Sequence, residues 1–182
     1  MGRRGRKALS AESLFFVTTT VVPFAPIFEN RSYCDILVSN IRHYQKEYGF
    51  RIYAYVIMPS HFHWIVDVDP KRGTISDIMR DVKKFSAWDI MDAVGQNNEP
   101  RLLRLFHVEA KKVPGQRRKF WMRRFDDEVI RNEGMLRTKT EYIHNNPVKA
   151  GLVARPEDYI YSSARNYSHS GKHVLDVVTD WF

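Results

Sequence analysis

Two histidines one residue apart, His61 and His63, sit in the run Tyr55-Val-Ile-Met-Pro-Ser-His-Phe-His-Trp-Ile-Val-Asp67. Side chains two apart on a strand share a face, so both imidazoles would project together and make a seat for a divalent metal ion. Far downstream, Tyr142 and Asn146 stand four apart in Glu141-Tyr-Ile-His-Asn-Asn-Pro-Val-Lys-Ala-Gly-Leu-Val153, the spacing that stacks side chains on one helix face. A phenol and a third metal ligand could then meet the histidine pair. Each half also has a plain structural reading. Paired histidines can be half-buried sheet residues, a helical tyrosine is most often a packing residue with a wet hydroxyl, and an asparagine before a proline can cap a turn.

Positioning these groups takes strands first and helices after. Leu14 to Val22 is β-branched and aromatic and stops at Pro23, which predicts a strand. Tyr33, Leu37, Ile41, Tyr44 and Tyr48 recur at helical spacing, with Asn30 placed to cap the start and Gly49 the end. Arg51 to Met58 and His61 to Val68, parted by Pro59-Ser60, predict neighbouring antiparallel strands with the histidines opening the second. Phe62 then points to the opposite, core face. Gly73-Thr74 opens another helix, whose stripe is Ile75, Ile78, Val82 and Phe85, and Gly95 to Pro100 reads as a loop. Arg101 to Ala110 is open between helix and strand. Lys119 to Phe125 predicts a strand, and Glu133 to about Asn146 a helix. The order β-α-β-β-α-β with a terminal helix matches an α+β, ferredoxin-like sandwich: a split β-α-β antiparallel sheet with helices on one face plus a C-terminal tyrosine-bearing helix.

With 182 residues, 43% hydrophobic and 13% aromatic, the chain fits one core. Residues 1–12 read as a flexible basic arm, 13–155 as the catalytic domain and 156–182 as a C-terminal tail packing on it. A net charge of +8 implies a polyanionic partner, with nucleic acid leading. No apolar stretch approaches the roughly 20 residues that span a bilayer, and no signal-peptide pattern follows the basic start, so a cytoplasmic protein without a membrane partner is expected. The single Cys34 fits a buried helix position and no disulfide or zinc site.

The block Tyr55 to Val66, with Met58-Pro-Ser-His-Phe-His-Trp64, and the block Tyr142 to Val153 resemble the REP-associated tyrosine transposases of the HUH single-strand transposase superfamily. The similarity extends through Phe120-Trp-Met-Arg-Arg-Phe-Asp-Asp-Glu-Val-Ile-Arg131 and covers most of Leu14 to about Tyr167. That resemblance implies a metal-dependent transesterase, using Mg²⁺ or Mn²⁺, that cleaves and rejoins single-stranded DNA at repetitive palindromic hairpins. His61 and His63 carry over as metal ligands, Phe62 as the apolar residue between them, Tyr142 as the nucleophile and Asn146 as the third ligand. The implied product is a 5′-phosphotyrosine with a free 3′-hydroxyl. Related insertion-sequence enzymes carry glutamine where Asn146 stands; Asn146 is one methylene shorter and precedes Pro147, which predicts a helix end there. The related enzymes exchange the tyrosine helix in a homodimer, whereas the REP-associated relatives are monomers, and both assemblies stay open.

Lys111, Lys112, Arg117, Arg118, Lys119, Arg123 and Arg124 fall in an acid-free stretch with Phe120, Trp121 and Phe125 among them. Cations follow phosphates while aromatic faces stack unpaired bases, and the rival reading makes those aromatics core residues of a strand. Arg3 and Arg4 on the arm, Lys83 and Lys84 on the second helix, and Lys149 and Arg155 after the tyrosine extend the expected DNA surface. Three other activities fit parts of the pattern. These are a non-catalytic hairpin binder, an RNA-binding module of the same topology lacking its aromatic signature, and a hydrolytic nuclease using metal-bound water. Tyr159, Tyr161 and Tyr167 are rival nucleophiles, and Asp67 and Asp69 read as strand-end residues and not as ligands.

Overall fold

The computed structural model describes residues 13–115, 118–169 and 171–181. The predicted arm, with Arg3 and Arg4, and Arg117 of the basic stretch lie outside the described residues. Four strands, β1 (Leu14–Thr20), β2 (Arg51–Met58), β3 (His61–Asp67) and β4 (Asp126–Val129), form one antiparallel sheet in the order β2-β3-β1-β4. β1 and β2 flank β3, and α1 (Arg31–Tyr48) joins them across one face, which is the split β-α-β topology.

Local chemistry sets the boundaries of the helices. Asn30 Oδ1 accepts from the Ser32 N–H at 3.0 Å to open α1, and Gly49 closes it at φ 66°, a left-handed conformation that favours glycine. Thr74 and Asp77 cap each other's backbone N–H at the start of α2 (Ile75–Gln96). The loop expected over 95–100 shrinks, because α2 runs to Gln96 and Pro100, at the first turn where its missing N–H costs nothing, opens α3 (Pro100–Lys111). Arg101 to Ala110 is therefore helical. α1 and α2 bury Leu37, Ile41, Ile78 and Val82 against Phe15, Val17, Phe62, Trp64 and Val66 of the sheet, the larger of two cores.

Lys119 to Phe125 is not the predicted strand. Two short pieces follow the β1 side of the sheet: the Val22 N–H donates to Phe120 O and the Met122 N–H to Thr20 O, both at 2.8 Å, and pairing resumes at Asp126. Between them the chain leaves the ladder, and its carbonyls turn to the Lys83 ammonium, 2.8 Å from Met122 O, 3.5 Å from Arg123 O and 3.4 Å from Arg124 O. A half-buried cation takes these acceptors in place of a strand partner. β4 itself, Asp-Asp-Glu-Val, is a short charged edge of the kind that resists pairing with other chains.

The other face carries α4 (Glu133–Lys149), packed through Leu136 and Ile143 on Ala54, Val56, Met58 and Ile65. The helix does not end at Asn146 but continues through Pro147. Pro147 removes one donor, yet Asn146 O still accepts from Ala150 N–H at 3.0 Å and Pro147 O from Leu152 N–H at 2.9 Å, while Ile143 packs the turn on the sheet and Pro147 is itself buried. The C-terminal segment covers the outer edge of β2: Ile57 N–H donates to Tyr161 O and Ser163 N–H to Tyr55 O, both at 2.9 Å. No helix among the described residues is long and apolar enough to cross a membrane.

Candidate active site

Strand register builds the site. Val56, His63, Thr18 and Asp126 stand in one row across the sheet, and Met58, His61 and Thr20 in the next, so both imidazoles rise from the face that α4 covers. Phe62 lies in the opposite core, as alternation requires. The two rings meet edge to face with centroids 4.8 Å apart. Phe16, one row beyond Thr18, stacks on His63 at 5.7 Å. Tyr142 of α4 closes the cluster, its ring 5.4 Å from that of His63 and 6.0 Å from that of Phe16, with 41% of its surface exposed. The early histidines and the late tyrosine are therefore brought together within one chain.

The donor set fits a metal ion. Thr18 Oγ1 sits 2.8 Å from His63 Nδ1 and Ser60 Oγ 3.2 Å from His61 Nδ1, so each hydroxyl orients one ring nitrogen. His63 Nε2 is buried and has no hydrogen-bond partner, an arrangement costly for a polar atom unless something is to be bound there. Burial pushes the His63 pKa down to about 3, with His61 adding to the effect, and burial lowers His61 as well. Both rings are thus held neutral, the form that ligates. Among the described residues no Asp, Glu or Cys joins the histidines in a metal-sized group, which leaves an amide or solvent as the third donor. Asn146, one helical turn beyond Tyr142 on α4, carries such an amide.

The helix face that carries Tyr142 and Asn146 also holds Lys149, which the sequence assigns to the DNA surface, and Lys139. Lys139, Tyr142, Asn146 and Lys149 fall at spacings of three, four and three along α4, one stripe of a helix. Lys139 pairs with Glu128 of β4 at 2.6 Å and lies 4.6 Å over the Phe16 ring, while the Lys149 ammonium lies 5.8 Å from the Tyr142 ring centre. Thr18 and Phe16 escaped the reading, since only pairing register puts a β1 residue beside a β3 histidine, and Ser60, next to His61 in the chain, reads in the sequence as part of the turn alone. Asp67 forms an ion pair with Arg51 at 2.6 Å, away from the cluster. The tail tyrosines are engaged elsewhere: Tyr159 donates to Ile57 O, Tyr161 to Asp35 and Tyr167 to Tyr53 O. Cys34 is buried and donates to Phe28 O, its thiol pushed up to about 12 by burial.

A basic groove of about 560 Å³ runs between α2 and residues 118–125, lined by Lys83, Lys84, Arg118, Lys119, Arg123 and Arg124 among others. Phe120 and Trp121 are core residues, 2% and 6% exposed, so they offer no face to a base. The Lys83 ammonium is held by backbone carbonyls, with burial lowering its pKa to about 8, which leaves Lys84, Arg118, Lys119, Arg123 and Arg124 as the outward cations. Lys84 lies 4.7 Å over the ring of Trp88, itself half exposed. Arg155 is matched by Asp158 at 2.8 Å and Glu157 at 3.5 Å. Because Met122 binds Thr20, the neighbour of His61, this basic segment starts two strand spacings from the histidine pair, about 10 Å.

Known proteins resemble this chain in sequence and in fold. The REP-associated tyrosine transposase of Escherichia coli strain K12 is 26% identical over 136 residues, covering 75% of this chain and 67% of its own. A relative from Haemophilus influenzae is 24% identical over 162 residues, covering 87% of this chain and 83% of its own. A solved REP-associated tyrosine transposase, bound to a REP hairpin, superimposes with a TM-score of 0.67 over 98% of this chain and 96% of that one at 21% identity, which establishes the shared fold. Residues 25–146, most of the described sheet and the tyrosine helix up to Asn146, match the family model described as transposase IS200 like, and the chain belongs to that family of metal-dependent tyrosine transposases.

Proposed function

We propose that the protein is a single-strand DNA transesterase that cleaves and rejoins DNA at repetitive palindromic hairpins through a 5′-phosphotyrosine intermediate. One observation carries this reading: the Tyr142 ring lies 5.4 Å from that of a neutral histidine whose buried Nε2 has no partner. His61 and His63 would hold the ion, with the buried, unpartnered His63 Nε2 as one donor, and Asn146 would complete the set with its amide. When bound, the ion supplies positive charge to the non-bridging oxygens of the phosphodiester. Imidazole ligation suits Mn²⁺ at least as well as Mg²⁺.

Tyr142 attacks phosphorus in line with the departing 3′ oxygen. A bond forms between phenolic oxygen and phosphorus, the bond to the 3′ oxygen breaks, and the phenolic proton reaches that oxygen by way of solvent. The phosphodiester count is unchanged, so the reverse attack rejoins the strand without an energy source. Lys84, Arg118, Lys119, Arg123 and Arg124 of the groove, with Arg117, Arg3 and Arg4, follow the DNA backbone away from the site, while Lys83, bound to the carbonyls of residues 122–124, holds the basic segment in place. The names of the relatives support a REP-like hairpin as that DNA. Residues 13–155 form the catalytic domain, residues 156–182 pack on it as a tail, and the protein works in the cytoplasm. Meeting of phenol and imidazoles within one chain supports a site complete in the monomer, and a homodimer exchanging the tyrosine helix is the alternative.

Incubation of labelled single-stranded hairpin DNA with the protein and Mn²⁺ tests the reading. A covalent adduct mapping to Tyr142 is expected, and Tyr142→Phe should keep hairpin binding and lose the adduct. An adduct undiminished in that variant removes Tyr142 from the role. Tight binding without cleavage under any divalent ion identifies a non-catalytic binder, and cleavage without a protein-linked product a hydrolytic nuclease.

A further inference from the structure

We propose that Lys149 is a catalytic residue of this site, its ammonium holding a non-bridging oxygen of the phosphodiester while Tyr142 attacks it; the inference rests on the transesterase reading above. Seven residues are almost two full helical turns, so Lys149 lies within about 20° of Tyr142 around the α4 axis. Its ammonium sits 5.8 Å from the Tyr142 ring centre, and Asn146 occupies the turn between them. The proposed protein ligands, two imidazoles and an amide, are neutral. Lys149 therefore adds a positive charge where the pentavalent transition state gains negative charge.

The contrast with Lys139 at the other end of the stripe sharpens the assignment. Lys139 is neutralised by Glu128 at 2.6 Å and lies over Phe16, a packing position. Lys149 is exposed, and among the described residues no carboxylate pairs with it. A cation in the last turn also complements the helix dipole. That role affects the stability of α4 and leaves the chemical step alone, so the two can be separated.

The test compares wild type, Lys149→Gln, Lys149→Arg and Tyr142→Phe, reading the initial rate of covalent adduct formation with a hairpin-bearing single strand and Mn²⁺. Equilibrium binding of the same oligonucleotide and Tm are read alongside. Lys149→Gln should form adduct about 10²-fold more slowly, with binding within about threefold of wild type and little change in Tm, and Lys149→Arg should recover most of the rate. A methylphosphonate at the scissile position, which removes one charged oxygen, should narrow the gap between wild type and Lys149→Gln. An unchanged adduct rate in Lys149→Gln, or a loss that weaker binding or a lower Tm accounts for in full, overturns the role of Lys149 alone. Absence of a Tyr142-dependent adduct in wild type overturns the transesterase reading and this inference with it.

Discussion

The two faces of the sheet use the same strands for different ends. Toward α1 and α2 the sheet presents Phe15, Val17, Phe62, Trp64 and Val66, interlocked by aromatic contacts such as Phe62 to Trp64 at 5.5 Å and Phe62 to Trp121 at 5.8 Å. Toward α4 the apolar patch is smaller, Ala54, Val56, Met58 and Ile65, and the adjoining positions hold Thr18, Thr20, His61 and His63. β3 serves both, alternating His61 and His63 with Phe62 and Trp64. A rigid, close-packed core on one side lets the other side carry buried polar atoms in fixed geometry, the preorganisation that catalysis requires.

That division is broken most directly by substitutions at neighbouring β3 positions. His63→Ala should abolish metal-stimulated adduct formation, a loss of about 10³-fold or more for a polarising ion worth several kcal/mol, while leaving Tm of the metal-free protein near wild type. Phe62→Ala should do the reverse, costing about 3–5 kcal/mol of stability while the molecules that remain folded keep most of their activity. Chemical denaturation and gel quantification of the adduct, run on both variants, check the pair. If Phe62→Ala lost adduct formation as completely as His63→Ala at equal folded fraction, the faces would not be separable. Thr18→Val sharpens the same comparison on a finer scale. It keeps the volume and removes the hydroxyl 2.8 Å from His63 Nδ1, and should weaken Mn²⁺ binding about 10- to 100-fold. Unaltered Mn²⁺ affinity by calorimetry would show that Phe16 stacking alone orients the ring.

The sequence revealed the first face better than the second. Helical periodicity, the Asn30 and Gly49 caps and the period-two alternation around Phe62 are local signals, and α1, β2 and β3 lie where those signals put them. The histidine pair and the tyrosine were legible as residue types at fixed spacing. Their partners were not, because Thr18 reaches His63 through strand register across 45 residues and no sequence periodicity encodes register. Lys119 to Phe125 misled for a related reason: Phe120 and Trp121 are indeed buried and Phe125 partly so, but Lys83 from a distant helix captures the carbonyls that a strand would have paired. β4 escaped notice because Asp126-Asp127-Glu128 looks like a turn and pairs only as a charged edge.

The smallest effect lies where the weaker face is reinforced from outside. α4 rests on a modest apolar patch, and Ser163 of the tail supplies a polar link: its Oγ accepts from the Tyr55 N–H at 2.9 Å and lies 2.9 Å from His144 Nε2 on α4. Ser163→Ala leaves a buried strand N–H and the His144 ring nitrogen unmatched, so a loss of about 1–2 kcal/mol is expected. Leu136 and Ile143 still hold α4 to the sheet, and the adduct rate per folded molecule should fall by no more than a few-fold. Urea titration beside the adduct assay measures both quantities. A rate loss far exceeding the loss of stability would mean that the tail, and not the apolar patch, sets the distance between Tyr142 and the histidine pair. The catalytic face would then extend through the C-terminal segment to the outer edge of β2.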